Sequence, residues 1–457
     1  MSFLSEVDLP QLATIVNSKD WSQKPLYFVG DVGGTYARLG FGMASSDAQS
    51  LKGLKVTYVR FHMRKKEINQ VKDFFDEIIN ALLSHEADSV DPPQRPAAAT
   101  YLVNQVNDRK GLSVQRTLAA LQGNPVLRRV VCGVLAVPGP VHHNGTMGGP
   151  FNQLKGTARV DEFPTFLFPV GRGILLNDIE SAAYGLTTIS RANLFSEYME
   201  VLWEGRQWQE IMGDKSTLGT TIGKGNCLVM CPGSGLGSAY ICYKASTDSY
   251  DILSTEVGSM TVPDGIQDRD YLDGLALYLG LTAHSDTNDD KNAVDKTTRT
   301  VRLNCEQLTT GSALEYNYYR ILMRKSSTLQ RKKIRHSPLK AAEIAALAEK
   351  GDEDALQAMT QLFDNLMKVC AECNLFLQPF SVALIGNNII KNRFFFQLPA
   401  VRANLYNALL QHPMEQRHPG WMQQSTFIRQ VKDINMNLVG CVGVALREQK
   451  LASKAKL

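Results

Sequence analysis

The sequence has no apolar run long enough to cross a bilayer. The longest, VVCGVLAV at 130–137, falls far short of the roughly 20 residues a spanning helix needs. The N-terminal stretch MSFLSEVDLPQLATIVNSKDW carries acids and lacks the basic-then-apolar order of a secretory signal. Charge of one sign is also scarce: 49 Lys and Arg against 45 Asp and Glu leave +4 over 457 residues. The one dense basic stretch, RKSSTLQRKKIRHSPLK (324–340), has no interleaved aromatics and reads as a solvated linker face. The eight cysteines are scattered, which fits a reducing compartment rather than a disulfide framework. The chain therefore reads as soluble and intracellular, with no nucleic-acid and no membrane partner.

Metal-ligand spacing is equally sparse. The close pair Cys370 and Cys373 continues the stripe Leu356, Met359, Phe363, Leu366 and Met367, which has the spacing of one helix face. Both thiols are expected in a core, with no second pair or nearby histidine to complete a zinc site.

What is present is enough chain for two to three domain-sized units of ordinary globular composition. The first half reads as strand, glycine turn, strand (26–42), then a strand at 55–63 and a helix at 69–85. A Pro- and Ala-rich loop (91–100), a buried strand in VVCGVLAVPGPV and a strand-to-helix passage in LLNDIESAAYGL (175–186) follow. The second half begins in the same way, with NCLVMCPGSGLGSAYICYK (226–244), then a strand at 250–254, helices from about 306 to 376 and a late strand at 380–390. Residues 213–225 and 284–300 lack apolar periodicity and read as surface insertions. Two halves that each open on a glycine hairpin suggest duplicated α/β domains facing a cleft.

Consecutive glycines in a tight hairpin can turn backbone N–H groups into an anion-binding nest. The first turn has Gly30, Asp31, Val32, Gly33, Gly34 and Thr35, and the second Gly233, Ser234 and Gly235. Thr35 adds a hydroxyl donor. Asp31 would repel a bare phosphate, so its expected use is to orient a bound Mg²⁺ through water. Either turn alone is more often only a turn; the pair shifts the reading towards a polyphosphate. A P-loop is excluded because no GxxxxGK[ST] occurs, TIGKGN lacking the Ser or Thr after Lys. A dinucleotide fingerprint is excluded because GDVGGTYARLGF runs into a strand, not a helix.

Eight short elements in order, over about residues 26–446, resemble the bacterial-type glucokinases of the hexokinase/actin-like ATPase superfamily, a group also found in protists. They are GDVGGTYAR (30–38), AVPGPV (136–141), GPFNQLKG (149–156), LLNDIE (175–180), PGSGLGSA (232–239), STEVGS (254–259), EQLTTGSALEYNYYR (306–320) and IGNNII (385–390). The resemblance implies an α/β fold of two duplicated ribonuclease-H-like (actin-like ATPase) domains. One would span 26–188 plus 436–457, the other 189–435. It further implies ATP and Mg²⁺ as cofactors, glucose as substrate, phosphorylation at its 6-hydroxyl, and a homodimer. The helix at 437–449 would return to the first domain. The related ROK kinases carry a cysteine-rich zinc motif that is missing here, and residues 1–25 are too few for the helix-turn-helix of the repressor members.

By the same resemblance Asp178 is the catalytic base. A carboxylate at a helix start can orient an attacking hydroxyl and take its proton, although Asp in that place is as often only an N-cap. Asn152, Asn177, Asp178, Glu256 and Glu306 match the sugar-binding set, since carboxylates and amides pair with ring hydroxyls. Ser259 stands where many members have His, which puts tight glucose affinity in question. Asn388, in a stretch where the bacterial form has a Gly pair, is expected near the adenosine with Thr310 and Gly311. Alternatives are a kinase for another hexose or amino sugar, a non-catalytic sugar sensor and, more distantly, a Rossmann oxidoreductase. The expected location is cytoplasmic, although the final Ala455-Lys456-Leu457 approximates the S-K-L peroxisomal signal.

Overall fold

The computed structural model describes residues 3–44, 53–88, 119–151, 154–206, 222, 225–281, 302–325 and 339–454. Outside these lie the loop at 91–100, the insertion at 284–300, most of that at 213–225, most of the basic stretch, the C-terminal tripeptide and Asn152. The chain divides into two compact units, residues 1–195 with 434–457 and residues 196–433.

The first unit is built on a six-stranded sheet in the order β1-β4-β3-β2-β5-β9. These strands are β1 (Leu4–Glu6), β2 (Leu26–Val32), β3 (Tyr36–Met43), β4 (Lys55–His62), β5 (Val130–Val137) and β9 (Gly173–Asn177). Three two-residue strands, β6 (Val141–His142), β7 (Met147–Gly148) and β8 (Ala158–Arg159), form a small separate sheet. In the main sheet β2, β3 and β4 make an antiparallel meander, and β5 and β9 continue it in parallel with β2. All of β2 is buried, as the unbroken apolar run predicts for a strand covered on both faces. On one face Phe28 meets Phe41, Phe75 and Phe168 edge to face at 5.4–5.6 Å, a preferred aromatic geometry. Helices α1 (Leu9–Asn17) and α2 (Gln70–Asp88) supply that layer. Helix α3 (Asp178–Arg191) and the C-terminal helix Met436–Lys454 pair in the same unit. Their approach depends on glycine. A Cβ on Gly440 would lie 1.8 Å from the Ser181 carbonyl oxygen, and one on Gly185 2.2 Å from that of Met436.

The second unit has its own six-stranded sheet, β10-β15-β14-β11-β12-β13. Its strands are β10 (Met199–Trp203), β11 (Cys227–Pro232), β12 (Leu236–Lys244), β13 (Ser249–Thr255), β14 (Ser381–Leu384) and β15 (Thr426–Gln430). Again an antiparallel meander (β11, β12, β13) is extended by strands parallel to its first member (β14, β15). Helices α4 (Arg269–Tyr278), α5 (Cys305–Thr309), α6 (Gly311–Lys325), α7 (Ala341–Glu349) and α8 (Glu353–Leu377) follow. Helix α8 starts where Asp352 accepts a hydrogen bond from the Ala355 N–H at 2.8 Å, an N-cap. Most of its expected stripe is buried: Met359, Phe363, Leu366, Met367, Cys370 and Cys373 lie in the core, and Leu356 is half-buried against it. Burial pushes the Cys373 thiol up to about 12 and the Cys370 thiol well above its ordinary value. Both are therefore inert packing groups.

The late strand is shorter than its apolar run suggests. Strand pairing stops at Leu384, and Gly386, at φ +99°, turns the chain into helix α9 (Asn387–Lys391). That backbone angle is open to glycine and costly for other residues. Helix α10 (Pro399–Leu410) then leads towards β15.

Candidate functional site

In the first unit the β2–β3 hairpin closes through the Gly33 N–H, which donates to the Tyr36 carbonyl at 2.9 Å. Thr35 and Tyr36 are exposed at its tip. Gly30, Gly33, Gly233 and Gly235 all lie outside the left-handed region. The need for glycine here is one of space. A Cβ on Gly30 would fall 2.3 Å from Leu135 and 2.6 Å from Leu39, so this strand position has room for no side chain.

Asp31 is buried and well partnered. Its Oδ2 accepts from Arg38 at 3.0 Å and from the Asn435 Nδ2 at 2.7 Å, while Oδ1 accepts from the Asn437 Nδ2 at 2.8 Å. Two of these partners stand at the start of the C-terminal helix, where the Asn435 side chain also accepts the Leu438 N–H. Sequence reading missed all three. The polar pair in DINMN is a signal only once the fold returns this helix to the hairpin.

At the C-terminal end of β9 the chain enters α3. Asn177 is the N-cap: its Oδ1 accepts from the Ile179 and Glu180 N–H groups, and its Nδ2 donates to the Gly139 carbonyl at 2.9 Å. Gly139 belongs to AVPGPV and has φ +133°, so this tie joins two of the motifs read from sequence. The cap therefore falls to Asn177, and Asp178 is the first helical residue, half-buried, with Oδ1 2.9 Å from its neighbour's N–H. Positive partial charge at a helix N-terminus favours an ionised carboxylate there. Glu180, two residues on, faces the Asn177 backbone N–H, and burial pushes its carboxyl up to about 7.

In the second unit the β11–β12 hairpin closes by the Gly233 N–H to the Gly235 carbonyl at 2.7 Å. Glu306, in the first turn of α5, reaches this hairpin: its Oε2 accepts from the Leu236 N–H at 3.3 Å. A Cβ on Gly235 would stand 2.7 Å from that oxygen. Glu256 and Ser259 are exposed on a short 3₁₀ turn, the serine hydroxyl donating to Glu256 Oε2 at 3.4 Å. Gly258 presses this turn against β12, its would-be Cβ 2.3 Å from the Leu236 carbonyl oxygen. The structure thus brings Gly235, Glu256, Ser259 and Glu306 around one end of β12.

Thr310 is buried between α5 and α6, its carbonyl accepting from Ala313 and Leu314, and Gly311 opens α6. Asn388 is exposed on the first turn of α9. The preceding Gly386 N–H donates to Gln430 Oε1 at 2.9 Å, and a Cβ there would meet Cys231 Sγ at 2.7 Å. These contacts set α9 beside the end of β11. Among the described residues no group of three or more His, Cys, Asp or Glu can hold a metal ion.

Mixed α/β units with paired glycine hairpins and a carboxylate at a helix start define a chain of the glucokinase structural type. A crystal structure of glucokinase from Leishmania braziliensis is 36% identical in sequence, with a TM-score of 0.73 covering 97% of this chain and 98% of its own. The chain belongs to the glucokinase family. Glucokinase from Balamuthia mandrillaris, solved in complex with glucose, is 19% identical with a TM-score of 0.64 over 96% of this chain and 97% of its own, a likeness of fold. In sequence, a probable glucokinase 2 of Trichomonas vaginalis is 22% identical over 284 residues, 62% of this chain and 68% of its own. No family model matches.

Proposed function

We propose that this chain transfers the terminal phosphoryl group of ATP to the 6-hydroxyl of glucose. The observation that carries the reading is the 36% identity to the Leishmania glucokinase across nearly the whole of both chains. Supporting it, both sheets run in the same order when read from the meander, β4-β3-β2-β5-β9 and β13-β12-β11-β14-β15. That duplicated order fits the actin-like ATPase architecture.

In this mechanism Asp178 holds the sugar 6-hydroxyl and accepts its proton as the oxygen attacks the γ-phosphorus. The bond from that phosphorus to the bridging oxygen breaks, and ADP leaves. The chemistry needs positioning and charge stabilisation more than covalent help. Within each unit the phosphate donors are the hairpin backbone N–H groups other than those of Gly33 and Gly233, which close their own turns, with the Thr35 hydroxyl added in the first. Asn177, Glu256 and Glu306 pair with the sugar hydroxyls.

The fit of Asp31 to Mg²⁺ follows from its hydrogen bonds. Of about four lone-pair positions on a carboxylate, three are taken by Arg38, Asn435 and Asn437. One remains on Oδ1, which suits an indirect contact through water rather than a place in the ion's inner shell. Mg²⁺ commonly keeps several waters and binds through one carboxylate and substrate phosphates, and there it would neutralise charge on the β- and γ-phosphates.

The test is ADP production from ATP and Mg²⁺ with a panel of hexoses, comparing wild type with Asp178→Ala. Glucose-dependent turnover that the variant loses, while still binding glucose, supports the reading. Glucose binding without turnover in the wild type overturns it. One observation favours a second reading: the Ser259 hydroxyl is turned onto Glu256, where the family commonly places His. Turnover on another hexose in preference to glucose would retain the mechanism and change the substrate.

A further inference from the structure

Within the second unit, helices α6, α8 and α10 enclose a groove of about 510 Å³, in the size range of small-ligand sites. None of the residues assigned above to phosphate or sugar lines it. Most of its lining residues carry polar ends over aliphatic stems, and Ile321 lies among them. Arg320 and Arg324 lie one turn apart on α6, Gln357 and Gln361 one turn apart on α8, and Asn404 comes from α10. Residues four apart share a helix face, so each pair presents two like groups to the same space.

The sixth group is Asp364, three residues beyond Gln361 on α8. Its Oδ1 is buried with no hydrogen-bond partner. Neighbouring Lys325 is paired with Asp354, whereas Arg320, Arg324 and Asp364 enter no ion pair among the described residues. The Arg320 guanidinium lies over the Tyr271 ring at 5.1 Å. Burial raises the Asp364 carboxyl to about 6, against the opposing pull of Lys368.

Buried polar atoms without partners are rare and call for an explanation. Here Asp364 carries such an atom at the groove, beside the half-buried Arg320 and the exposed Arg324. Guanidinium forks match the oxygens of a phosphate. A carboxyl and three amides match hydroxyl groups, which both donate and accept. Inorganic phosphate alone would leave the Asp364 end unsatisfied, and a simple amino acid would leave most of the amides so.

We propose that this groove is a binding site for a phosphorylated polyol, its phosphate on Arg320 and Arg324 and its hydroxyls on Asp364, Gln357, Gln361 and Asn404. Products of sugar phosphorylation fall in this class. The site is made wholly within one unit and does not rest on the assigned reaction.

The experiment is a calorimetric titration of the full chain with glucitol 6-phosphate, with saturating glucose present throughout. The expected result is saturable binding that weakens at least about tenfold in Arg320→Gln/Arg324→Gln, as loss of charge-assisted donors requires, and that is unchanged in Asp178→Asn. Arg324→Gln alone, at an exposed position, should weaken it as well by removing one phosphate donor, and covers the case in which the double variant does not fold. Absence of saturable binding at millimolar ligand, or equal binding by wild type and variants, overturns the proposal. Inorganic phosphate binding as tightly as the polyol phosphate also overturns it, reducing the groove to an anion site. Failure here would leave glucose turnover untouched, and failure of the glucokinase reading would leave this titration untouched.

Discussion

The Asn437 Nδ2 lies 2.8 Å from Asp31 Oδ1 and joins the first glycine hairpin to the C-terminal helix. That helix also braces α3, whose Ser181 hydroxyl donates to the Asn437 carbonyl at 2.9 Å. One residue therefore links the hairpin to the helix that begins at Asp178. Asn437→Ala leaves a buried carboxylate oxygen short of a donor. The expected loss is about 1–3 kcal/mol of stability, read by urea unfolding, with a lower affinity for ATP. A variant as stable as wild type would show that water replaces the amide at no cost.

Glu180 sets a pH dependence whose sign is fixed. Burial raises its carboxyl to about 7 in the folded chain, against roughly 4.3 unfolded. Between those values the native state holds a proton that the unfolded state has released. Stability therefore falls as pH rises across this window, and the loss is complete above the folded value. Glu180→Gln retains an acceptor for the Asn177 N–H and removes the charge. It should be more stable than wild type by about 1–3 kcal/mol at pH 8 and little different at pH 4.5. Urea unfolding at several pH values checks this, and parallel profiles for the two proteins would refute it.

The second hairpin contains its own control. A Cβ on Gly235 would sit 2.7 Å from Glu306 Oε2, whereas one on Gly233 meets nothing nearer than 3.7 Å. Gly235→Ala must push the Glu306 carboxylate off the Leu236 N–H. It should lower kcat/KM by roughly 10- to 100-fold, as ångström-scale misplacement does. Gly233→Ala should change it much less. Steady-state kinetics on the two variants decides the matter, and equal effects would mean that Glu306 is not what the hairpin positions.

The α3 contact predicts a structural lesion. A methyl group on Gly440 would stand 1.8 Å from the Ser181 carbonyl oxygen, a backbone atom that cannot turn aside. Gly440→Ala should destabilise by about 1–3 kcal/mol or more, whereas Gly123→Ala, with nothing within 4 Å, should not. Thermal melting separates the two.

The local elements were legible because they rest on local chemistry. Alternation and glycine punctuation mark both hairpins in the sequence, and the 3.6-residue stripe of α8 foretells which of its side chains are buried. The N-D pair announces a helix start but leaves the cap undecided; the Ile179 and Glu180 N–H groups donating to Asn177 Oδ1 assign it. The apolar run FSVALIGNNII carries no sign that pairing ends at Leu384, since Gly386 turns the chain only where β11 and Gln430 constrain it. Asp31 could be picked out from GDVGGT, yet its partners Asn435 and Asn437 stand 404 and 406 residues away. The groove on α6, α8 and α10 likewise joins side chains from three separate helices. By itself the sequence determined the hairpins, the main helix starts and the family, because each is written in neighbouring residues. Tertiary structure alone decided which carboxylates are satisfied and which are left open, because hydrogen-bond partners are chosen by proximity in space, not along the chain.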